Sequence, residues 1–168
     1  MNTSVNTSVD IVIEDARWDS LDLQALAERA FSTSMTYLGL PGFGCCVMAC
    51  DDGRIATLNA EFRGKPTPTN VLSWPSEDRS AEGEGDRPEP PDAAFDPELG
   101  DIAISYDTCA REASEAGKSM KDHVTHLLVH GILHLLGYDH VLEGDADLME
   151  STEVRILAQM GLSDPYLV

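Results

Sequence analysis

The order of segments along this chain predicts one mixed α/β (α+β) domain: a small, mostly four-stranded sheet packed with about five helices. Two observations carry that prediction. Four short runs read as strands and five longer runs read as helices, and the two kinds are interspersed rather than segregated. The length, 168 residues, suits a single domain with a modest core. Residues 1–168 are therefore read as one domain. No apolar run approaches the roughly 18 residues that a membrane span needs.

The elements follow in order. The tandem NTSV at the N-terminus is polar, and residues 1–8 are expected to fray. This end has neither a basic n-region nor an apolar h-region, so it does not read as a secretory signal. A cytoplasmic protein with no membrane partner is expected. Val9 to Glu14 alternates and reads as a strand. Ser20 or Asp22 opens a helix with apolar Leu23, Leu26, Ala27, Ala30 and Phe31, ending near Gly39. Gly44 to Cys50 reads as a buried strand. Its Cys45, Cys46 and Cys50, with Cys109, form neither a C-x-x-C nor a disulfide framework, so they read as buried reduced thiols.

A short helix across Ile55 and Leu58 leads into Arg63-Gly64-Lys65-Pro66, read as a loop from its Gly and Pro. Val71 to Trp74 is a strand stopped by Pro75. Residues 76–100 show no periodicity and are rich in Pro, Gly and acid. They read as a disordered surface excursion, with a lid over a site as the sharper alternative. Asp101 to Ser105 is the last strand, and Asp107 to Gly117 a helix. Ser119-Met120-Lys121-Asp122 is a capping box that opens a helix in the C-terminal half, running to about Leu136. Val124, Leu127, Leu128, Ile132 and Leu135 form its buried side. Asp145 to Met160 is a final amphipathic helix, stopped by Gly161.

The net charge is −19, and a bulk acidic surface repels nucleic acid. The distribution softens this. Residues 76–98 hold nine acids against Arg79 and Arg87, a local charge of −7. Phe62 to Pro75 holds Arg63 and Lys65 and no acid. Arg111, Lys118 and Lys121 recur at spacings of seven and three and share one side if that segment is helical.

The histidines carry the chemistry. All five lie between His123 and His140, and three form H-G-x-x-H-x-x-G-x-x-H. Residues i and i+4 lie on one helix face, so His130 and His134 can aim at one point. Gly137 can end the helix in a left-handed conformation, and His140 can then return with a third nitrogen. Three imidazoles with an open position describe a catalytic metal site, with one zinc ion per chain as the expected cofactor. Nickel and other imidazole-preferring metals suit the same donors. Such a zinc lowers the pKa of a metal-bound water to about 7, which points to hydrolysis. His126 and Asp139 are candidates for orienting the ligands, and Asp139 reads equally well as a solvated turn residue. His123 reads as solvated or supporting.

The spacing is also that of metal-dependent proteases, whose Glu general base is here replaced by Gly131. Without that carboxylate, peptide hydrolysis is the second reading. Phosphodiester cleavage mainly requires stabilised negative charge, which a metal and an arginine can supply. Arg63 is the best arginine, because a guanidinium grips phosphate bidentately.

The histidine motif, with Leu58-Asn59, Phe62 to Lys65, Pro68 to Pro75, Leu99 to Ser105 and the stretch from Glu150 to Asp164-Pro165-Tyr166, resembles the YbeY family of bacterial endoribonucleases and rRNA maturation factors. The resemblance covers most of the chain from residue 55 onward. It implies a single-domain RNA hydrolase with zinc on His130, His134 and His140. It also implies that Arg63 handles phosphate beside the metal, in a cleft shared with the metal helix. Single-strand-specific cleavage of rRNA precursors near the small-subunit 3′ end, and ribosome quality control, are the implied roles. The ribosomal small subunit or assembly proteins are the implied partners. Lys65, Arg111, Lys118 and Lys121 are the candidate RNA contacts. Trp74 stands where Phe is common in the family, and residues 76–98 look longer and more acidic than its usual connection. A zinc peptidase and a non-catalytic, zinc-containing ribosome assembly factor are the alternatives.

Overall fold

Burial on both faces decides which strands lie in the middle of the sheet. In a computed structural model describing residues 8–166, β2 (Gly44–Cys50) is largely buried, as is β4 (Glu98–Ser105) from Ile102 onward. They pair in parallel at the centre of a sheet ordered β1-β2-β4-β3. Near-continuous apolar runs are what such doubly covered strands require. β1 (Ser8–Ile13) adds in parallel on one side, and only Val9 is fully buried there. β3 (Val71–Pro75) adds antiparallel on the other. Pro75 cannot donate to a ladder, which suits the end of an edge strand. Ser8 opens β1, and the rest of the expected N-terminal fray lies outside the described residues.

Period-two alternation sends successive side chains to opposite faces. Cys45, Val47, Ala49, Ile102 and Ile104 join the main core with α1 (Leu23–Leu38) and α4 (Met120–Leu135). Cys50, Leu72 and Ala103 form a smaller core with Ile55 and Leu58 of α2 (Asp52–Arg63). α3 (Tyr106–Ala116) and α5 (Glu143–Gln159) complete the helices, and both pack on α4. A 3₁₀ helix, Ala16–Leu21, precedes α1 and buries Trp18, whose indole N–H donates to the Cys50 carbonyl at 3.0 Å. The four-stranded sheet and the five α-helices agree with the sequence reading, and α4 lies in the C-terminal half. No helix among the described residues is long and apolar enough to cross a membrane.

Three expectations need correction. Arg63 is not in a loop: it is the last residue of α2, and Gly64 (φ 68°) caps the helix behind it. A cation in the last turn complements the helix dipole, so the helix extends further than its apolar period shows. Arg111, Lys118 and Lys121 do not share a helix. Arg111 lies in α3, Lys118 follows the Gly117 cap, and Lys121 sits in the first turn of α4. Finally, residues 76–97 contain no helix or strand, but they are not a free excursion. Arg79 plunges inward with only 5% of its side chain exposed. It donates to the carbonyls of Leu135 (2.8 Å) and Leu99 (3.1 Å), to Ser76 Oγ (2.7 Å) and to the Asp96 carboxylate. One guanidinium thus satisfies a carbonyl at the end of α4 and another in β4, a use that composition does not reveal.

Candidate metal centre

α4 starts where the sequence says it should: Ser119 Oγ accepts from the Asp122 amide at 3.1 Å. Its apolar residues turn to the core, including the fully buried Val124, Leu128 and Leu135. His123, His126, His130 and His134 then fall on the remaining side as a stripe, each ring meeting the next at 4.7–6.4 Å between centroids. Gly131 lets the helix approach the sheet, because a Cβ there would lie 3.2 Å from Ile102 Cδ1.

The helix stops at Leu135, and Gly137 turns the chain with φ 102°. Glycine is obligatory there twice over. The conformation disfavours a side chain, and a Cβ would lie 2.2 Å from the Arg79 carbonyl oxygen. The turn brings His140 back, its amide donating to Asp139 Oδ1 at 2.7 Å. Its ring centroid is 5.2 Å from that of His130 and 5.1 Å from that of His134. One nitrogen from each of the three rings lies within 4.8 Å of the others.

These residues fit a metal ion. The Nδ1 of His130 lies against the Glu153 carboxylate, which leaves Nε2 as the nitrogen turned to the triad. That Nε2 faces His134 Nε2 at 3.1 Å. Burial, then the neighbouring His130 and His140, lower the His134 pKa to about 4, so this ring is neutral near pH 7. Two imidazole nitrogens that close call for a proton or cation between them. Three nitrogen donors suit zinc and its neighbours in the first transition row.

The triad opens into a cleft of about 690 Å³. Arg63 and Lys65 line it from the end of α2, Val71 to Ser73 from β3, and Glu150 and Tyr166 from the C-terminal side. Arg63 Nη2 donates to the Ser73 carbonyl at 3.3 Å, which anchors one edge of the guanidinium and leaves its other donors unused among the described residues. His126 and Asp139 also face the cleft. Arg111, Lys118 and Lys121 do not line it, and Arg111 instead approaches Glu115 at 3.8 Å. His123 lies outside it and pairs with Glu112 at 2.9 Å.

Two residues of this region are absent from the sequence reading of the site. Glu153 is fully buried, and its carboxylate meets His130, His126 and the Tyr166 hydroxyl. Burial pushes its pKa up, but the hydrogen bonds from His126 and His130 outweigh that and hold it at about 2. Tyr166, half-exposed, donates to Glu153, and burial followed by that bond pushes its phenol up. A signal for Glu153 exists: it falls among Met149, Ile156, Leu157 and Met160 on the apolar stripe of α5. A charge on that stripe needs a partner.

Known proteins resemble this arrangement along nearly the whole chain. The family model described as endoribonuclease YbeY matches residues 9–161. An endoribonuclease YbeY of Cereibacter sphaeroides is 61% identical over 164 residues, covering 94% of this chain and 98% of the relative. One from Paracoccus denitrificans is 60% identical over 159 residues, covering 95% and 90%. The solution structure of TM1509 from Thermotoga maritima shares the fold, with a TM-score of 0.54 at 20% identity over 95% of this chain and 99% of that one. On a family match over residues 9–161 and identities near 60% across almost the full length of both chains, the chain belongs to the endoribonuclease YbeY family.

Proposed function

We propose that this chain cleaves single-stranded RNA using one zinc ion held by His130, His134 and His140, with Arg63 gripping the phosphate. The observation that carries the reading is the meeting of the histidine triad and Arg63 in one cleft. A bound ion of this kind supplies Lewis acidity toward phosphate oxygens and a water acidified to near neutrality. The chain's own residues supply the rest. Arg63 can present its free guanidinium donors to a phosphate, and Lys65 adds positive charge at the same wall. Asp139 and Glu150 also line the cleft and disfavour a second phosphate beside them. The proposed substrate is rRNA precursor near the small-subunit 3′ end, with ribosome quality control as the wider role, the small subunit or its assembly proteins as partners, and the cytoplasm as the compartment. Membership in the family supports an RNA substrate, and the high negative charge suits basic ribosomal proteins.

The test is cleavage of a single-stranded RNA by purified protein of measured zinc content, beside His134→Ala and Arg63→Glu. Both variants should lose at least ~100-fold in rate, and wild-type cleavage should weaken steeply with salt. Equal cleavage by all three proteins would overturn the assignment and favour a non-catalytic assembly factor.

A further inference from the structure

Glu153 is a carboxylate with 0% exposure on a helix stripe where an apolar residue would be cheaper to bury. The hydrogen bonds indicate what the charge is for. An ionised carboxylate only accepts, so each group pointing at it must bring a proton. Oε1 takes the Nδ1–H of His130. Oε2 takes the Nε2–H of His126 at 3.3 Å and the Tyr166 hydroxyl. The first bond decides which nitrogen of His130 is bare, and it holds the ring with Nε2 facing His134 Nε2 at 3.1 Å. The second oxygen, caught between His126 and Tyr166, keeps the carboxylate from swinging away. His126 is thereby committed: its Nε2 is engaged with Glu153, and its Nδ1 is buried without a partner among the described residues.

We infer that Glu153 is a positioning residue of the metal centre, fixing His130 in the Nδ1–H tautomer and aiming its Nε2 at the point shared with His134 and His140. This rests on the reading of the triad as a metal site. Carboxylate support of a ligating imidazole raises its basicity and removes the freedom it would otherwise lose on binding. A carboxylate that merely joined α5 to α4 would affect stability but neither tautomer nor metal affinity.

Two measurements on the full chain decide it. Long-range ¹H–¹⁵N correlation spectra of the metal-free wild type should show His130 as the Nδ1–H tautomer. Finding mostly Nε2–H would overturn the inference, whatever the variants do. Zinc affinity, read by competition with a chromophoric chelator, should fall about 10-fold or more in Glu153→Gln. The same variant should show a mixed His130 tautomer while its far-ultraviolet circular dichroism is unchanged. A folded Glu153→Gln that binds zinc within about twofold of wild type would overturn the positioning role and leave the metal site standing. A wild type that binds no zinc would remove both.

Discussion

Gly131 occupies the place where a protease with this histidine spacing carries its general base, and the packing around it is tight. A Cβ at this position would lie 3.2 Å and 3.3 Å from Ile102 Cδ1 and Cγ2, and Ile102 is fully buried under the helix. Any side chain there requires Ile102 or α4 to give by a few tenths of an ångström. Gly131→Glu should therefore destabilise the protein by ~1–3 kcal/mol, read from urea unfolding of the metal-free form. A variant as stable as wild type would show that the side chain escapes into the cleft, and the steric argument would fail. At this scale the histidine triad was legible because helix geometry converts i, i+4 spacing into proximity. Arg63 was singled out for its chemistry, but its setting at a helix end was not foreseen. Glu153 was passed over, because it shares α5 with Glu143, Asp145, Asp147 and Glu150 and an acid in such company looks solvated until its neighbours are known.

Among the elements, the irregular segment between β3 and β4 behaves least like its composition. Charge and proline content argue for disorder. Arg79 reverses the outcome locally by giving the segment a buried attachment to the end of α4, next to the turn that carries His140. Gly85 donates to Asp145 at 2.8 Å and Gly144 to Glu84 at 2.9 Å, which ties the same segment to the start of α5. Arg79→Ala strands the Leu135 carbonyl and leaves the Leu99 carbonyl and the Asp96 carboxylate with Ser76 alone. A loss of ~3 kcal/mol is expected, with much faster proteolytic cutting within residues 76–97. Unchanged cutting at wild-type stability would show that the attachment is dispensable. The regular elements were easier to read. α4 announced itself by its capping box, and β2 by an unbroken apolar run between glycine and acid. The 3₁₀ helix before α1 was missed because six residues at that period leave no repeated pattern.

For the whole molecule, protonation is the simplest test of the buried histidine cluster. The folded His134 ring resists protonation until about pH 4, against an ordinary value of 6.5. An unfolded chain takes up that proton as the pH falls between those values, so acid favours unfolding. Metal-free protein should lose ~3 kcal/mol of stability from this group between pH 7 and pH 4, seen as a falling urea midpoint. Glu153 acts in the same direction at lower pH. Its depressed pKa of about 2 stabilises the fold above the ordinary value of 4.5 and is lost as the pH falls through 2. His134→Ala should flatten the upper part of this profile, and a profile identical to wild type would show that the ring is not protected. The sequence by itself determined the element order, the helix that carries the histidines and the residues able to bind a metal, because all of these follow from periodicity and capping within a few turns of chain. Only the tertiary structure decided the parallel β1-β2-β4 arrangement, the attachment of Arg79 to a carbonyl 56 residues away, and the carboxylate 23 residues beyond His130 that sets its ring. Those depend on which distant segments become neighbours when the apolar faces are buried together, and local pattern contains no record of that pairing.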